Sequence, residues 1–358
     1  MRSIWRGGAS RRFWEIHKRL VKKGYDITVL GSSTLSKYNP KVNSLNEHEG
    51  IKINSIRTKL PFPDYLFYIK AMAVIKSIHK DFDVIHDDFS PTGCYSFLWH
   101  DRCIATIHET FGRYALNKYG IAGLVPLLNE KFYKKMGYKV FIVCAPSVRK
   151  NLRSLGINST LIPGGADTEL FKPGRKDNND IIVTMVTRLS KGKGLDLFIE
   201  IARGLVSKYQ GKDIKFMLVG DGNLISSIQR KINRLRLNIK LANQVSDEEL
   251  VKILQNSSIY LHTSLQEGFG LSICEAMACG LPVVAFNVLG VKDLVNPRTG
   301  ILIPPGDIKG AIDALYTLIN DEDLRKNLGR NARNLILEKY RWERSSALMD
   351  EVYKSLIN

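Results

Sequence analysis

Two glutamates frame a glycine-containing turn in the segment EGFGLSICEA, with seven residues between them. Glu267 precedes the turn, and Glu275 lies one turn into a helix that is predicted to begin near Ser272. The start of a helix presents free backbone N–H groups and the positive end of its dipole, which suit an anion such as a diphosphate. Carboxylates beside that point can accept hydrogen bonds from the hydroxyls of a sugar or ribose. The segment therefore predicts a site for a phosphorylated ligand that carries hydroxyl groups.

Glu275 has a second interpretation that is local to the helix. Ser272 and Glu275 have the spacing of a capping box, in which the two side chains bond to backbone N–H groups at a helix start. A capping box explains Glu275 as well as a ligand does, so this segment alone leaves both roles open. Glu267 precedes the helix and is not explained by capping.

Two cations follow the predicted strand IIVTMVT. Arg188 leaves this strand, and Lys193 comes five residues later, just before a helix that is predicted to begin near Gly194. Such loops lie at the carboxyl edge of a parallel sheet, where α/β proteins bind ligands, and the two cations can neutralise a departing diphosphate. A solvated basic loop is the alternative, and it is the better interpretation of an isolated pair with this spacing.

Two other segments have part of the pattern of a dinucleotide-binding site or of a metal-binding site, and neither completes it. Gly220 and Gly222 form a strand-to-helix turn that lacks the third glycine of a dinucleotide fingerprint, and Ile273 stands at the corresponding place in GFGLSI. A nicotinamide-dependent dehydrogenase is therefore poorly supported. Asp81 and Asp83 have the spacing of a metal-binding pair, but they precede the buried strand VIH. They predict a helix–strand connection at the amino edge of a sheet.

Short apolar strands rich in Val and Ile alternate with helical segments from Gly8 onward. This alternation predicts an α/β fold whose parallel sheets are covered on both faces. The polar stretch FKPGRKDNND interrupts it and is interpreted as an interdomain linker and hinge. Residues 1–172 are predicted to form one doubly wound, Rossmann-like domain and residues 173–340 a second, with residues 341–358 as a helix that crosses back to the first. A single eight-fold barrel is disfavoured, because the linker falls mid-chain and the strands number more than eight.

The composition bounds the class of protein. Of the 358 residues, 44% are apolar and 25% are charged, and no apolar run reaches the length of a membrane span. Five cysteines without a C-x-x-C pair predict reduced thiols, and we expect a cytoplasmic protein because no signal-peptide pattern is visible. The net charge of +18 favours a polyanionic partner, which is nucleic acid, anionic lipid or a phosphorylated small molecule.

Taken together, these segments resemble the retaining glycosyltransferases of family 4, also called glycosyltransferase group 1, which have the GT-B fold. The matching features are Arg188 with Lys193 and Gly194, the turn Gly220-Asp221-Gly222, and the E-x7-E pattern inside EGFGLSICEAMACGLPVVA. LIPGGADTELFKP is similar to the segment that ends the family's first domain, and RWERSSALMDEVY is similar to its crossover helix. The resemblance covers essentially the whole chain.

The resemblance implies a role for each matching residue. The cations of the first βα loop bind the donor diphosphate, the first glutamate and the backbone after it hold the donor sugar, and the second glutamate bonds the ribose. A histidine at a strand end, here in CIATIHETFG, faces the donor sugar; without the resemblance it is interpreted as a structural histidine. The implied catalytic residues are His108, Glu267, Arg188 and Lys193. The implied donor-binding residues are Gly7, Gly8, Gly222, Asn243, Gln244, Val245, Gly268, Phe269, Gly270, Leu271 and Glu275.

The sequence departs from the family pattern in a few places. Thr187 stands where glycine is usual, and Asn243 replaces another glycine; asparagine tolerates a left-handed backbone, so that turn is expected to survive. The pair Gly7 and Gly8 matches a loop that follows the first strand in the family, yet no strand precedes it here. We predict that roughly 10 to 20 residues are missing before Met1. A truncated, weakened or inactive transferase is the alternative.

The expected reaction is the transfer of a hexose-type sugar from a nucleotide-diphosphate donor to a hydroxyl acceptor, with retention at the anomeric carbon. The acceptor is a lipid-linked molecule, a glycan or a small molecule, and the Arg and Lys pair replaces a metal, so no cofactor is expected. A nucleotide-sugar epimerase or a phosphorylase-like enzyme is the alternative with the same fold. A basic nucleic-acid-binding protein is less favoured, because no known nucleic-acid-binding signature appears. The basic first domain is also predicted to dock on anionic lipid at the inner face of the membrane.

Overall fold

The structure, a computed structural model, describes residues 7–32, 47–56, 63–89, 95–110, 124, 128, 130, 132–175, 180–209 and 214–358. The chain forms two compact units. The carboxyl-terminal unit contains Gly165–Arg341, and the amino-terminal unit combines Ile4–Gly164 with Trp342–Asn358. Among the described residues, no helix combines the length and hydropathy that crossing a bilayer requires.

The amino-terminal unit contains seven strands among its described residues, in two sheets. The first sheet has the order β1-β3-β2 and the second the order β4-β5-β6-β7, and no described residues pair the two sheets. The strands are β1 (Ile27–Ser32), β2 (Glu47–His48), β3 (Ile51–Ile56), β4 (Ile85–Phe89), β5 (Cys103–Ile107), β6 (Val140–Val143) and β7 (Thr160–Leu161). The helices with described bounds are α1 (Gly8–Val21), α2 (Pro63–Ile78), α3 (Pro146–Ser154) and, after the other unit, α11 (Trp342–Ile357). The predicted missing segment before Met1 lies outside the described residues.

The carboxyl-terminal unit is built on one six-stranded, all-parallel sheet with the order β10-β9-β8-β11-β12-β13. Its strands are β8 (Ile181–Val186), β9 (Ile214–Val219), β10 (Ile239–Ala242), β11 (Ile259–His262), β12 (Val283–Phe286) and β13 (Gly300–Ile303). Its helices are α4 (Leu195–Lys208), α5 (Ile225–Leu235), α6 (Asp247–Asn256), α7 (Leu271–Ala278), α8 (Val291–Leu294), α9 (Ile308–Asn320) and α10 (Glu322–Lys339).

The apolar strands of this unit are buried because helices cover both faces of the sheet. Val183, Phe216 and Leu261 belong to one continuous apolar core that also contains Phe198 of α4 and Leu315 of α9. Burying a side chain of this size contributes about 1.5–3 kcal/mol, so a core of this extent fixes the sheet on which the loops are mounted. The predicted parallel, doubly wound arrangement is confirmed here.

The boundary between the units lies slightly before the predicted one at residue 172. The Ala166 N–H donates to the carbonyl of Tyr340 at 2.9 Å, and Ala166 forms a parallel bridge with Arg341. Phe171 is fully buried, and the Arg333 guanidinium donates to its carbonyl oxygen. These contacts bind the stretch after Gly165 to the carboxyl-terminal unit. Residues 176–179 of the predicted linker lie outside the described part.

Helix α1 buries charged as well as apolar side chains. Ile16 and Leu20 are fully buried, and the charged residues Arg12 and Glu15 are buried too. Helix α11 covers that side of α1, and Ser346 of α11 donates to the Ile16 carbonyl. Periodicity within one helix cannot reveal a partner that comes from a distant part of the chain.

Candidate active site

The order of strands in the carboxyl-terminal unit reverses between β8 and β11, which are neighbours at its centre. Loops that follow such strands open a crevice at the carboxyl edge of the sheet, and this is where doubly wound α/β proteins bind ligands. The loop after β8 carries Arg188 and Lys193, and the loop after β11 carries Glu267. The fold therefore brings the two predicted clusters to one place.

Lys193 and Glu267 meet at this crevice. The Lys193 Nζ atom donates to Glu267 Oε2 at 2.9 Å, and 27% and 20% of the two side chains are exposed. Burial alone would raise the pKa of Glu267, but the Lys193 charge and the nearby His262 outweigh it and hold that pKa well below its usual value. Glu267 is thus a carboxylate at physiological pH, and it is an acceptor that a ligand hydroxyl can approach.

The contact depends on a close approach of the two loops. A Cβ atom on Gly194 would lie 1.8 Å from the Thr263 carbonyl oxygen, and the φ angle of Gly194 is +65°. The Thr263 hydroxyl donates to the Gly194 carbonyl at 2.8 Å, and the Leu265 N–H donates to that of Gly192 at 3.2 Å. Only glycine fits at position 194 without displacing the loop that carries Glu267.

The capping-box alternative for Ser272 and Glu275 does not occur at the start of α7. Gly270, with a φ angle of +99°, occupies the capping position, and no side chain caps the helix. The Ser272 hydroxyl instead accepts a hydrogen bond from Tyr260 at 2.8 Å. The first N–H groups of α7 are thus not satisfied by a local cap. Glu275 is 3% exposed and lies on this helix, next to the crevice loops.

Sequence reasoning missed two residues of β11 that support the site. The Tyr260 hydroxyl lies within hydrogen-bond distance of two acceptors, Ser272 Oγ at 2.8 Å and the Val186 carbonyl at 3.0 Å at the end of β8, and its single proton serves one of them at a time. His262 is buried, and its Nε2 atom lies 3.4 Å from Glu267 Oε2. Both are polar side chains in an otherwise apolar strand, directly before the functional loop, and that position was the available signal.

The loops after β9 and β10 lie beside the same crevice. The Leu189 N–H donates to the Asp221 carbonyl at 2.9 Å, and a Cβ atom on Gly222 would lie 2.2 Å from the Leu189 carbonyl oxygen. Gly222 is therefore held against the loop that carries Arg188, which is itself exposed. In the segment Asn243–Val245, the left-handed residue is Gln244, with a φ angle of +51°, and not Asn243 as predicted.

The remaining predicted residues belong to the amino-terminal unit. Gly7 caps α1 with a φ angle of +125°, and Gly8 is the first helical residue. His108 directly follows β5, and its Nε2 atom lies 2.5 Å from Asp88 Oδ1. Burial would lower the pKa of His108, but Asp88 outweighs it and raises that pKa to about 10.

No group of three or more His, Cys, Asp or Glu side chains that could hold a metal ion occurs among the described residues. Asp81 and Asp83 lie between α2 and β4, as predicted for a helix–strand connection. The four described cysteines are free and buried, and they are Cys103, Cys144, Cys274 and Cys279.

Two doubly wound α/β units, one of which has charged loops at its switch point, define the class as GT-B glycosyltransferases. The chain superposes on sucrose-phosphate synthase from Thermosynechococcus elongatus with a TM-score of 0.82 at 22% identity, covering 98% of this chain and 94% of that one. It superposes on Anabaena Alr3699/HepE in complex with UDP-glucose with a TM-score of 0.76 at 19% identity, covering 99% and 97%.

The sequence matches agree with the fold. Residues 6–170 match the family described as Glycosyltransferase Family 4, and residues 166–335 match the one described as Glycosyl transferases group 1. The chain is 27% identical to N-acetyl-alpha-D-glucosaminyl L-malate synthase of Bacillus anthracis over 98% of this chain and 94% of the relative. It is 22% identical to the phosphatidylinositol N-acetylglucosaminyltransferase gpi3 subunit of Schizosaccharomyces pombe over 98% and 78%. The chain belongs to glycosyltransferase family 4 and is a glycosyltransferase.

Proposed function

We propose that this glycosyltransferase moves a hexose-type sugar from a nucleotide-diphosphate donor to a hydroxyl acceptor, with retention at the anomeric carbon and without a metal. The observation that carries the proposal is the Lys193–Glu267 contact at the switch point, beside the uncapped start of α7. A cation, a carboxylate and a helix start without a side-chain cap at one place match the phosphate and the hydroxyls of one nucleotide-sugar.

The leaving group is the part of the donor that gains charge. The transition state resembles an oxocarbenium ion, and negative charge builds on the departing phosphate. Arg188, Lys193 and the start of α7 stabilise that charge where it develops, so they lower the barrier more than they strengthen donor binding. These cations supply the charge that a metal supplies in other transferases.

The remaining site residues position the donor. Glu267, with the backbone of Gly268–Leu271, holds the sugar, and Glu275 accepts a hydrogen bond from the ribose. Gly222 and the segment Asn243–Val245 contact the phosphates and the base. His108, Gly7 and Gly8 contribute from the amino-terminal unit. The departing phosphate takes the proton of the acceptor hydroxyl, which attacks the same face that the phosphate leaves.

The names of similar proteins support this substrate class. The HepE structure holds UDP-glucose, and the Bacillus relative is named for the transfer of N-acetylglucosamine to malate, which offers a hydroxyl. The yeast relative is named for a phosphatidylinositol acceptor. We therefore propose a lipid-linked acceptor as one option and a cytoplasmic protein that binds the inner face of the membrane peripherally, through anionic lipid.

A screen of nucleotide-diphosphate sugars tests the reaction. We expect one donor to raise the melting temperature and to release its nucleotide only with an acceptor, and NMR of the product to show a retained anomeric configuration. Lys193→Ala and Glu267→Ala should each lower kcat by about 100-fold. Lys208→Ala removes an exposed ion pair with Asp313 in the same unit and is the matched control.

Three outcomes would contradict the proposal. If Lys193→Ala and Glu267→Ala both left kcat unchanged, the active site would not lie at these residues. Isomerised free donor without a glycosylated acceptor would indicate an epimerase. Loss of activity after metal removal, with recovery when metal is restored, would overturn the metal-independent mechanism.

A further inference from the structure

A carboxylate and an imidazole meet at the carboxyl edge of the second sheet of the amino-terminal unit. Strands β4 and β5 are parallel neighbours in which Asp88 pairs with Thr106 and Phe89 with Ile107, and His108 follows directly. The backbone register therefore brings Asp88 beside His108. Their distance is 2.5 Å from Oδ1 to Nε2, and 29% and 17% of the two side chains are exposed. The pair is held by paired strands and is shielded on most sides.

Among the described residues, five other titratable groups lie near the Asp88–His108 pair. They are Arg12 and His17 of α1, His86 of β4, Cys144 after β6 and Tyr353 of α11. Burial lowers the pKa of His17 to about 4 and that of His86 to about 3, so both rings are neutral. Burial also raises the pKa of Tyr353, so its hydroxyl keeps its proton.

The remaining neighbours do not compete with His108 for the carboxylate. The Arg12 guanidinium donates through Nη2 to the Ile162 carbonyl at 2.7 Å. The Cys144 thiol donates to the backbone carbonyl of His108 at 3.1 Å. Burial alone would raise the pKa of Asp88, yet His108 lowers it to about 2, which agrees with the raised pKa of His108. A lowered pKa of Asp88 and a raised pKa of His108 are what an ion pair between an imidazolium and a carboxylate produces.

We propose that Asp88 is a positioning residue that holds His108 as an imidazolium, so that His108 meets the substrate as a charged hydrogen-bond donor and never as a base. An imidazolium carries protons on both ring nitrogens, and Nε2–H is taken by Asp88. The second donor of the ring is Nδ1–H, which we assign to an electron-rich oxygen such as a phosphate or hydroxyl oxygen; the Cys144 side chain is a further hydrogen-bonding neighbour of His108. The substrate part of this inference rests on the proposed function, in which His108 lies beside the donor sugar.

The ion pair has a consequence for the proton balance of the reaction. A ring that is already protonated cannot take the proton of the acceptor hydroxyl. That proton must leave with the departing phosphate, which becomes a better leaving group as it accepts the proton. If the carboxylate only oriented a neutral histidine, that histidine would be a general base and would itself take the proton of the acceptor hydroxyl.

NMR titration of histidine in the full chain tests the ion pair without any substrate. The His108 signal is assigned by its loss in His108→Gln. In the natural sequence we expect this ring to stay protonated through neutral pH. Asp88→Asn keeps the shape of the side chain and removes its charge, and it should shift the titration of His108 downward by at least about three pH units. Asp26→Asn, which removes an exposed carboxylate in the same unit, should leave the titration unchanged.

The pH dependence of turnover tests the role in the reaction. The natural enzyme should show no ionisation near pH 6.5 in kcat, whereas Asp88→Asn should lose at least about tenfold in kcat as the pH rises from 6 to 8. Asp88→Glu, which restores the charge, should recover part of this loss.

A His108 titration near pH 6.5 in the natural chain, or an unchanged titration in Asp88→Asn, overturns the ion pair. An unchanged pH profile in Asp88→Asn overturns the positioning role. If no nucleotide-sugar is turned over, the proposed function fails, while the titration still decides the ion pair.

Discussion

At the scale of single residues, the candidate site is defined by two side chains that contact each other. Lys193 and Glu267 share a hydrogen bond, and the proposed function gives each of them a partner on the donor as well. The contact keeps both side chains at the crevice. His262, buried and 3.4 Å from Glu267, limits how far that carboxylate can move.

Gly194 offers a sharp test of the loop approach. Gly194→Ala places a Cβ atom 1.8 Å from the Thr263 carbonyl oxygen at a φ angle of +65°, so the loop must move. We expect a loss of about 3 kcal/mol or more in the free energy of unfolding by urea, together with loss of activity. Gly306→Ala is the control, because Gly306 has a φ angle of +85° but no atom within 4 Å of an added Cβ. A loss of about 1 kcal/mol is expected there, and equal losses in the two variants would contradict the steric argument.

Residue types and spacing predicted the main members of the candidate site from sequence, but not their details. Lys193 and Glu267 lie in loops whose strands can be recognised, and parallel strands bring their carboxyl ends to one edge. The capping-box alternative for Glu275 does not occur, because the helix begins at Leu271 and Ser272 lies inside it, where its hydroxyl bonds Tyr260 from another strand. Likewise, Gln244 and not Asn243 is left-handed, since the hydrogen bond from the Gly220 N–H to the Ala242 carbonyl fixes where the turn begins.

At the scale of secondary structure elements, the notable contact is between α1 and α11. Tyr353 of α11 bonds His17 Nε2 at 2.8 Å and His86 Nδ1 at 2.8 Å, and His86 Nε2 bonds Thr106 at 2.7 Å. One hydroxyl thus joins a helix, a strand and the crossing helix. A sequence pattern shows each element separately and gives no signal that these three polar side chains meet.

Tyr353→Phe tests this junction. The change leaves a ring nitrogen of each histidine without its partner inside a buried region, and we expect a loss of about 1–3 kcal/mol in unfolding free energy. Tyr316→Phe removes a hydroxyl from a 38% exposed tyrosine and should change stability by less than about 0.5 kcal/mol. Equal stability of the Tyr353→Phe variant and the natural chain in urea would show that the junction contributes nothing.

The same junction predicts a pH dependence of stability. His17 and His86 have pKa values lowered by burial to about 4 and about 3, so the unfolded chain binds more protons below pH 6.5. Stability is therefore fully present above pH 6.5 and falls as the pH drops towards 4, by about 1.4 kcal/mol per pH unit for each ring. His108 acts with the opposite sign: its pKa is raised to about 10, so its stabilising contribution is full below pH 6.5 and declines as the pH rises from 6.5 to about 10. Urea unfolding at several pH values should show a smaller slope in His86→Gln, and an unchanged slope would refute the assignment.

At the scale of the whole molecule, the two α/β units and their secondary structure elements could be predicted because local periodicity decides them. In the carboxyl-terminal unit the predicted strand IIVTMVT covers residues 181–187, and β8 spans Ile181–Val186. In the amino-terminal unit β4 begins at Ile85, one residue after the start of the predicted strand VIH, and Val84 belongs to the connection after α2. The sequence predicts that residues 341–358 return to the first domain, but no local pattern identifies α1 as the helix against which α11 packs.

The prediction that the protein binds anionic lipid rests on its net charge of +18. Leu128 and Phe132, four residues apart in helical conformation, are each 49% exposed, and exposed Lys134 and Lys135 follow them. We expect flotation with vesicles rich in anionic lipid, weakened by salt and reduced by about tenfold or more in a Lys134→Glu, Lys135→Glu variant. Val206→Ser, at a 45% exposed apolar residue of the carboxyl-terminal unit, is the control. Equal flotation with neutral vesicles would contradict the prediction.

The origin of α11 also has a consequence for synthesis on the ribosome. This helix follows the whole carboxyl-terminal unit in the chain, yet it buries Trp342 and Met349 within the amino-terminal unit. Because domains generally fold as they emerge, the first unit leaves the exit tunnel with the face of α1 that α11 later covers still open to solvent. That face can bind a chaperone until translation of the second unit is finished. Slow codons between the units would therefore prolong a vulnerable nascent state without speeding the completion of the first unit.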